Sequence, residues 1–422
     1  MFPIGQGENN NPKAKNEISM NQLTNPKHLS NNVWILSVLI GLFADIKCVN
    51  SFLVALYPTS SGIMAALYAL TVVLILFYAF KGHHHKELTP CTLFIPLYCV
   101  VLYVFTAIFI NQPEVGPLNF FVFSIIAYVI PLVSAIDVKT TLRSVMFFSI
   151  FSMLKLSSIF AFAYDYNDAI SMGASYAYLI PVVGTIVYCR YYLKRDKGFQ
   201  RMLSLFLIVC NVIFFLELFL FGSRGPLLAI ACCIVLLFLF TEQGNRLVFS
   251  WKRLFLVIGC ISILIPSFIL VSSWLSDILK TVGISSYSLD KILSMAASNS
   301  LDNGRDDLSQ LAMNGFIEYP ILGHGSDLFD INYPGTSYPH NFILQILYDG
   351  GLLFFFLLII PGIKGIVRLL RLGIYSQVAF FIFLFCVSVP GGLFSGDLWE
   401  QNMLWMCLGF LTNNYFVVDY EV

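Results

Sequence analysis

The chain has 422 residues, of which 58% are hydrophobic, 16% aromatic and only 11% charged. A soluble domain carries about 25% charged residues, so this composition excludes most water-facing folds and reads as a membrane protein. Twenty-four Lys plus Arg against 24 Asp plus Glu give neither the basicity that points to nucleic acid nor the acidity of a solvating tail, so no nucleic-acid partner is expected.

Residues 1–32 are polar and rich in Asn, without the apolar core and small-residue cleavage site of a secretory signal, and read as a cytoplasmic N-terminal arm. Apolar stretches follow near 33–50, 62–80, 91–110, 118–136, 142–163, 174–193, 202–221, 226–241, 254–275, 341–361, 376–394 and 400–418. One helical crossing needs roughly 20 residues. The pattern therefore predicts an all-α polytopic fold with about 12 transmembrane helices: helices 1–9 within 33–275, a large loop over 276–339, and helices 10–12 with a short C-terminal tail within 340–422.

Lys and Arg collect in cytoplasmic loops, and here they alternate. Lys13, Lys15 and Lys27 lie in the arm. Lys81 and Lys86, then Lys139 and Arg143, then Arg190, Lys194, Arg195, Lys197 and Arg201 occupy alternate connections, as do Arg246, Lys252 and Arg253, and Lys364, Arg368 and Arg371. The short connections 111–117, 164–173 and 395–401 hold no Lys or Arg. Both termini are expected in the cytoplasm.

Two outer connections break the pattern: the turn Gly222-Ser223-Arg224-Gly225-Pro226, with its lone Arg, and the loop 276–339. Loops longer than about 15 residues are usually functional or disordered. This one contains Asp302-Asn303-Gly304-Arg305-Asp306-Asp307 followed by Leu308, Leu311, Ala312, Gly315 and Phe316, a helical stripe. Asp302 or Asn303 as cap, acidic residues in the first turn and Pro320 as the stop predict an amphipathic helix near 304–318. Its apolar stripe needs a partner, so it should lie against the membrane domain and close over a cavity.

The ten cysteines fall in or beside the apolar stretches, with no zinc-type Cys/His spacing, so no disulfide and no metal site are expected. His83-His84-His85 reads as a solvated turn. No phosphate-binding loop, dinucleotide fingerprint or His-Glu-x-x-His motif is present, and no cofactor is expected.

The outer groups with chemistry to offer are Arg224, Arg305, His324 and His340, with Lys280 and Lys291 as further cations. His340 opens the tenth span in Tyr338-Pro339-His340-Asn341, where Pro339 discourages helix before it; the competing reading is an interfacial polar cap. His324 sits in the turn Gly323-His324-Gly325 and competes with a plain turn residue. Glu217, two helical turns before Arg224, offers that arginine an ion pair. Asp45, Lys47, Lys155 and Glu217 fall toward the outer ends of their spans, where they either line a wet path or pair with each other.

Three stretches together resemble the O-antigen polymerase and O-antigen ligase superfamily of bacterial envelope glycosyltransferases. They are Gly222-Ser223-Arg224-Gly225-Pro226-Leu227-Leu228; Gly304-Arg305 with Glu318-Tyr319-Pro320-Ile321-Leu322-Gly323-His324-Gly325; and Pro339-His340-Asn341 with Gly350-Gly351. The order of these stretches and the large outer loop before the last spans carry the resemblance over the whole chain. It implies an enzyme of lipopolysaccharide biosynthesis in the bacterial inner membrane, with its site facing the periplasm and an undecaprenyl-diphosphate-linked oligosaccharide as donor. The Gly-Ser-Arg-Gly-Pro turn favours a Wzy-type polymerase, whose acceptor is another lipid-linked repeat unit and whose further partners are membrane lipids and a Wzz-type chain-length regulator. An O-antigen ligase, transferring glycan to lipid A-core, is the alternative. A lipid-oligosaccharide flippase is the reading from a different class, and it would call for internal repeats or discontinuous helices that the sequence pattern lacks.

The resemblance implies roles as well. Arg224 and Arg305 would hold the donor diphosphate, a task suited to a guanidinium that stays charged and forks onto two phosphate oxygens. Arg305 at a helix start adds backbone N–H groups. His340 would take the acceptor hydroxyl's proton, and His324, Asn341, Tyr338, Glu217 and Asp165 are further candidates for substrate contact. A single metal-independent attack inverts the anomeric carbon; Asp165 or Asp168 acting as nucleophile would overturn that.

Overall fold

The computed structural model describes residues 31–56, 61–81, 90–110, 120–153, 172–244, 246–283, 286–298, 305–334, 338–394 and 396–413. Residues 1–30 of the N-terminal arm, the histidine run, Lys155, Asp165, Asp168, the expected caps Asp302 and Asn303, and the tail beyond 413 lie outside the described residues, while the arm's last two residues, Asn31 and Asn32, already belong to the first helix.

Each apolar stretch read from the sequence contains helix among its described residues. The first five helices are α1 (Asn31–Leu56), α2 (Ser61–Lys81), α3 (Pro90–Phe105, extended by a wide turn over Thr106–Ile110), α4 (Ala127–Val133, entered through a wide turn over Phe120–Ile126) and α5 (Val138–Phe148). Then come α6 (Met172–Tyr191), α7 (Gly198–Phe221), α8 (Arg224–Leu239), α9 (Trp251–Thr281), α10 (Tyr287–Ser298), α11 (Arg305–Glu318), α12 (Phe342–Leu372), α13 (Tyr375–Gly392) and α14 (Asn402–Thr412). Among the described residues, Gly198–Leu220, Phe342–Leu372 and Tyr375–Gly392 are long and apolar enough to cross a membrane, accompanied by shorter apolar helices. The chain is a predominantly helical integral membrane protein.

The fold is not purely helical. Where the sequence pattern passes from the eighth span toward the ninth, β1 (Phe240–Gln243) and β2 (Arg246–Phe249) form an antiparallel hairpin with Phe240 opposite Phe249 and Thr241 opposite Val248. These residues favour strands, and Gly244, with φ of 60°, supplies the left-handed turn.

α13 runs through the middle, buried over nearly its whole length against α6, α8 and α14. It carries no charged residue, as a helix apolar on all sides must be when enclosed. At the edge, α9 turns Phe255, Leu270 and Trp274 outward.

Two ends can be told apart by their contacts. At the first, Asp196, between α6 and α7, holds Lys139 and Arg143 of α5; Arg195 lies over the Tyr375 ring at 4.1 Å; and Leu247 of the hairpin donates to Gly373 O between α12 and α13 at 2.8 Å. These are the connections that charge counting assigns to the cytoplasm. At the second, Ser223 N donates to Ser175 Oγ (3.3 Å), Ser286 Oγ to Leu220 O (3.1 Å) and Gly396 N to the Tyr338 hydroxyl (3.3 Å). That end carries the Arg224 turn, α10, α11 and the start of α12.

Candidate functional site

The Arg224 turn is built by two helix ends. α7 stops at Phe221, and Gly222 N closes it on Leu218 O at 3.0 Å. Ser223, in extended backbone, precedes α8, whose first turn is Arg224-Gly225-Pro226. Proline is tolerated there because first-turn N–H groups have no intrahelical acceptor. Arg224 is half-buried, and Glu217 is buried on α7. Gly225 is required by packing: a Cβ at this position would overlap the hydroxyl of Tyr176, on the first turns of α6.

α11 begins at Arg305, with Asp306 and Asp307 in its first turn, and ends at Glu318, as the spacing predicts. Its stripe finds its partner on α12: Ala312 and Gly315 are buried against a cluster containing Tyr348 and Phe329. The turn after it explains the paired glycine motifs. α12 is broken at Gly351 (φ 64°, ψ −162°), a discontinuity absent from the hydropathy pattern. The backbone groups freed by the break are taken up by 320–325. His324 N and Gly325 N donate to Tyr348 O (2.8 Å) and Asp349 O (2.9 Å), while Leu352 N and Leu353 N donate to Pro320 O (2.8 Å) and Ile321 O (3.1 Å). The two chains approach so closely that a Cβ on Gly323 would overlap the backbone of Asp349 and one on Gly351 that of Ile321. A buried break leaves costly orphan groups unless they are bonded, and this clasp bonds both sides of it.

The clasp occupies His324. Its ring stacks on Tyr348 at 4.5 Å and its Nε2 meets Gly315 O at 3.0 Å, tying α11 to α12. Asn341 is occupied too, capping α12 by accepting from Ile343 N (2.9 Å) and Leu344 N (3.3 Å). One turn further on, Gln345 joins Asp397 and Leu398 N, and Trp399 Nε1 donates to the buried Asp349 carboxylate at 2.7 Å.

His340 stands at the head of this braced half-helix. Its φ of 56° is in the left-handed region, which costs a non-glycine residue about 1–3 kcal/mol and persists only where the surroundings impose it. The buried Pro339 and the cap Asn341 flank it, the Tyr338 ring lies 4.3 Å away, and its buried Nδ1 has no hydrogen-bond partner. Burial, then the charge of Arg305, hold the imidazole below its ordinary pKa. A neutral ring with an uncommitted nitrogen is chemically a base.

Tyr176 joins the pieces. It packs on Gly225 beside Arg224, it is within electrostatic reach of Arg305 and Tyr338, and Arg305 in turn reaches His340. Among the described residues Arg305 has no carboxylate partner, and no group of three or more His, Cys, Asp or Glu is placed to hold a metal ion. Lys280, by contrast, pairs with Asp290 at 3.1 Å. Two arginine-bearing helix starts and a neutral histidine at one end can neutralise an anion while accepting a proton beside it.

A family model described as O-antigen ligase matches residues 206–359, the stretch that runs from α7 through the Arg224 turn, α11 and His340 to just past the break in α12. Over this stretch the chain is similar to the O-antigen ligase and polymerase superfamily. No curated protein and no solved structure matches the chain.

Members of the O-antigen ligase family are membrane enzymes of the glycosyltransferase kind. Of the residues singled out in the sequence for such a site, the structure gathers Arg305, His340 and Tyr338 directly and the Arg224 turn through Tyr176. It sets His324 and Asn341 to structural tasks. Tyr176 carries no motif of its own; an aromatic residue near a span's end is too common at membrane interfaces to mark it.

Proposed function

We propose that the protein is an O-antigen polymerase: it transfers glycan from an undecaprenyl-diphosphate-linked oligosaccharide to a sugar hydroxyl of a second lipid-linked repeat unit. Arg224 and Arg305 bind the diphosphate and stabilise charge as it develops on the leaving oxygen. His340 accepts the acceptor's proton. The acceptor oxygen bonds to the anomeric carbon as the carbon–oxygen bond to diphosphate breaks, so configuration inverts in one step. Diphosphate is a good leaving group and needs no acid, and the arginines take the place of a divalent cation.

The reading rests above all on one observation: a neutral imidazole with an unpartnered Nδ1 lies within the field of Arg305 at the start of α11. The orientation that goes with it has about 12 crossings, the arm 1–32 and both termini in the cytoplasm, and the loop 276–339 with the site facing the periplasm of the inner membrane. Gathering of the Lys- and Arg-bearing connections at one end supports this orientation. Membrane lipids and a chain-length regulator of the Wzz type complete the set of partners.

The ligase reading is second, favoured by the description of the matching family model. Purified protein given labelled undecaprenyl-diphosphate-linked repeat units together with lipid A-core separates the two. Lengthened lipid-linked chains, formed also in excess EDTA, support the polymerase. Label on lipid A-core supports the ligase, and transfer to neither overturns both.

A further inference from the structure

Ser175 and Tyr176 lie side by side on α6, and each meets a different part of the Arg224 turn. Ser175 Oγ accepts from Ser223 N at 3.3 Å, which fixes where the turn stands relative to α6. The Tyr176 side chain occupies a slot between Gly225 of α8 and Gly391 of α13: a Cβ on Gly391 would overlap its ring, and one on Gly225 its hydroxyl. Two glycines on separate helices thus make room for one aromatic side chain. A phenylalanine would keep the ring against Gly391, so that contact explains the ring, while the bare Cα of Gly225 leaves room for the hydroxyl without giving it a partner.

The hydroxyl reaches Gly391 O at 3.4 Å, beyond the usual range for an O–H donor. It stands against the turn that carries Arg224, within the field of Arg305, with Tyr338 nearby. A phenol held between two guanidinium-bearing segments is a ready donor to an oxyanion, and hydrogen bonds to charged groups are the stronger class.

We propose that Tyr176 is a further donor-binding residue, its hydroxyl donating to an oxygen of the lipid-linked diphosphate between Arg224 and Arg305. This rests on the donor class proposed above. It adds a contact that arginines do not supply, a short directional donor from α6, and so couples diphosphate recognition to the packing of α6 on α8 and α13.

The test compares the full-length wild type with Tyr176→Phe in lipid nanodiscs, measuring binding of free undecaprenyl diphosphate and the melting temperature of each protein. The expected result is about a tenfold loss of affinity, of the size one hydrogen bond to a charged group carries, with an unchanged melting temperature. With the natural lipid-linked donor, KM should rise by a similar factor. Equal affinity in the two proteins overturns the proposal while leaving the donor reading intact. A loss of affinity accompanied by a clear fall in melting temperature makes the hydroxyl a structural tie to Gly391 and also overturns it. If wild type itself does not bind undecaprenyl diphosphate, the donor reading fails and takes this inference with it.

Discussion

The two ends of the bundle each hold a cluster of cations, and the clusters are built on opposite principles. At the hairpin end, the fully buried Asp196 carboxylate accepts from Lys139 (2.8 Å) and Arg143 (3.0 Å) on one oxygen and from Tyr188 (2.6 Å) and Ser204 (2.7 Å) on the other. Burial pushes its pKa up, but the Lys139, Tyr188 and Ser204 hydrogen bonds and the Arg143 charge outweigh it, leaving the carboxyl below its usual range. At the other end, Arg305 has no carboxylate among the described residues and His340 Nδ1 has no partner. Charges that are neutralised internally serve the scaffold. Charges without an internal partner are the candidates for binding something outside the chain, because perturbed and unpaired groups cluster at functional sites.

If that contrast is right, substitutions at the two ends should separate activity from stability. The largest effect on rate belongs to His340→Ala, expected to lower transfer by about 10²–10⁴-fold with donor binding nearly intact; more than about a tenth of wild-type turnover would exclude general-base catalysis. The largest effect on stability belongs to Asp196→Asn, which strands Lys139 and Arg143. The loss should be about 3–5 kcal/mol, read as a lower denaturation midpoint, and the protein still folded should keep its specific activity. Because the Asp196 pKa is depressed, its contribution is present above the unfolded value of about 3.9 and disappears as pH falls through the folded one. An activity loss in Asp196→Asn beyond the loss of folded protein would erase the distinction between the ends.

Smaller effects sharpen it. Arg224→Lys and Arg305→Lys should each lose roughly 10- to 100-fold in activity at normal expression, because a point charge does not reproduce a bidentate fork; wild-type rates in either would return that arginine to the scaffold. The wild-type rate should fall on acidification with a midpoint below the ordinary imidazole value of about 6.5, since protonation removes the accepting lone pair. Arg305→Gln should move that midpoint upward in the residual activity, and an unmoved midpoint would disconnect Arg305 from His340. The same depressed pKa makes the His340 region lose stability as pH drops below about 6.5. Smallest of all, Gly225→Ala should lower the melting temperature by crowding the Tyr176 hydroxyl, and adding Tyr176→Phe should restore part of it; strictly additive losses would mean that the two residues do not share the slot.

The break in α12 shows why some motifs are legible and yet misleading. Gly323-His324-Gly325 and Gly350-Gly351 stand out in the sequence, and a histidine between two glycines invites a catalytic reading. Their proximity is a backbone matter: four hydrogen bonds pass between the two segments, and the glycines are there because the chains touch. A flippase reading would attach a discontinuous helix to a transport cavity. Here the discontinuity is filled by the chain's own loop, and its consequence is a short, braced half-helix that carries His340.

Composition and hydropathy by themselves determined that this is a helical membrane protein, and local spacing determined the body of α11 and its end at Glu318, because apolar stripes and proline stops act within one or two turns of chain. Charge counting sorted the connections into two sets, since each connection carries its own Lys and Arg whatever it packs against. The positive φ of His340, its unpartnered Nδ1, the field of Arg305 upon it and the Tyr176 slot were decided only in three dimensions. Each depends on groups dozens to hundreds of residues apart meeting at one end of the bundle, and no periodicity within a single helix records which neighbours that helix will have.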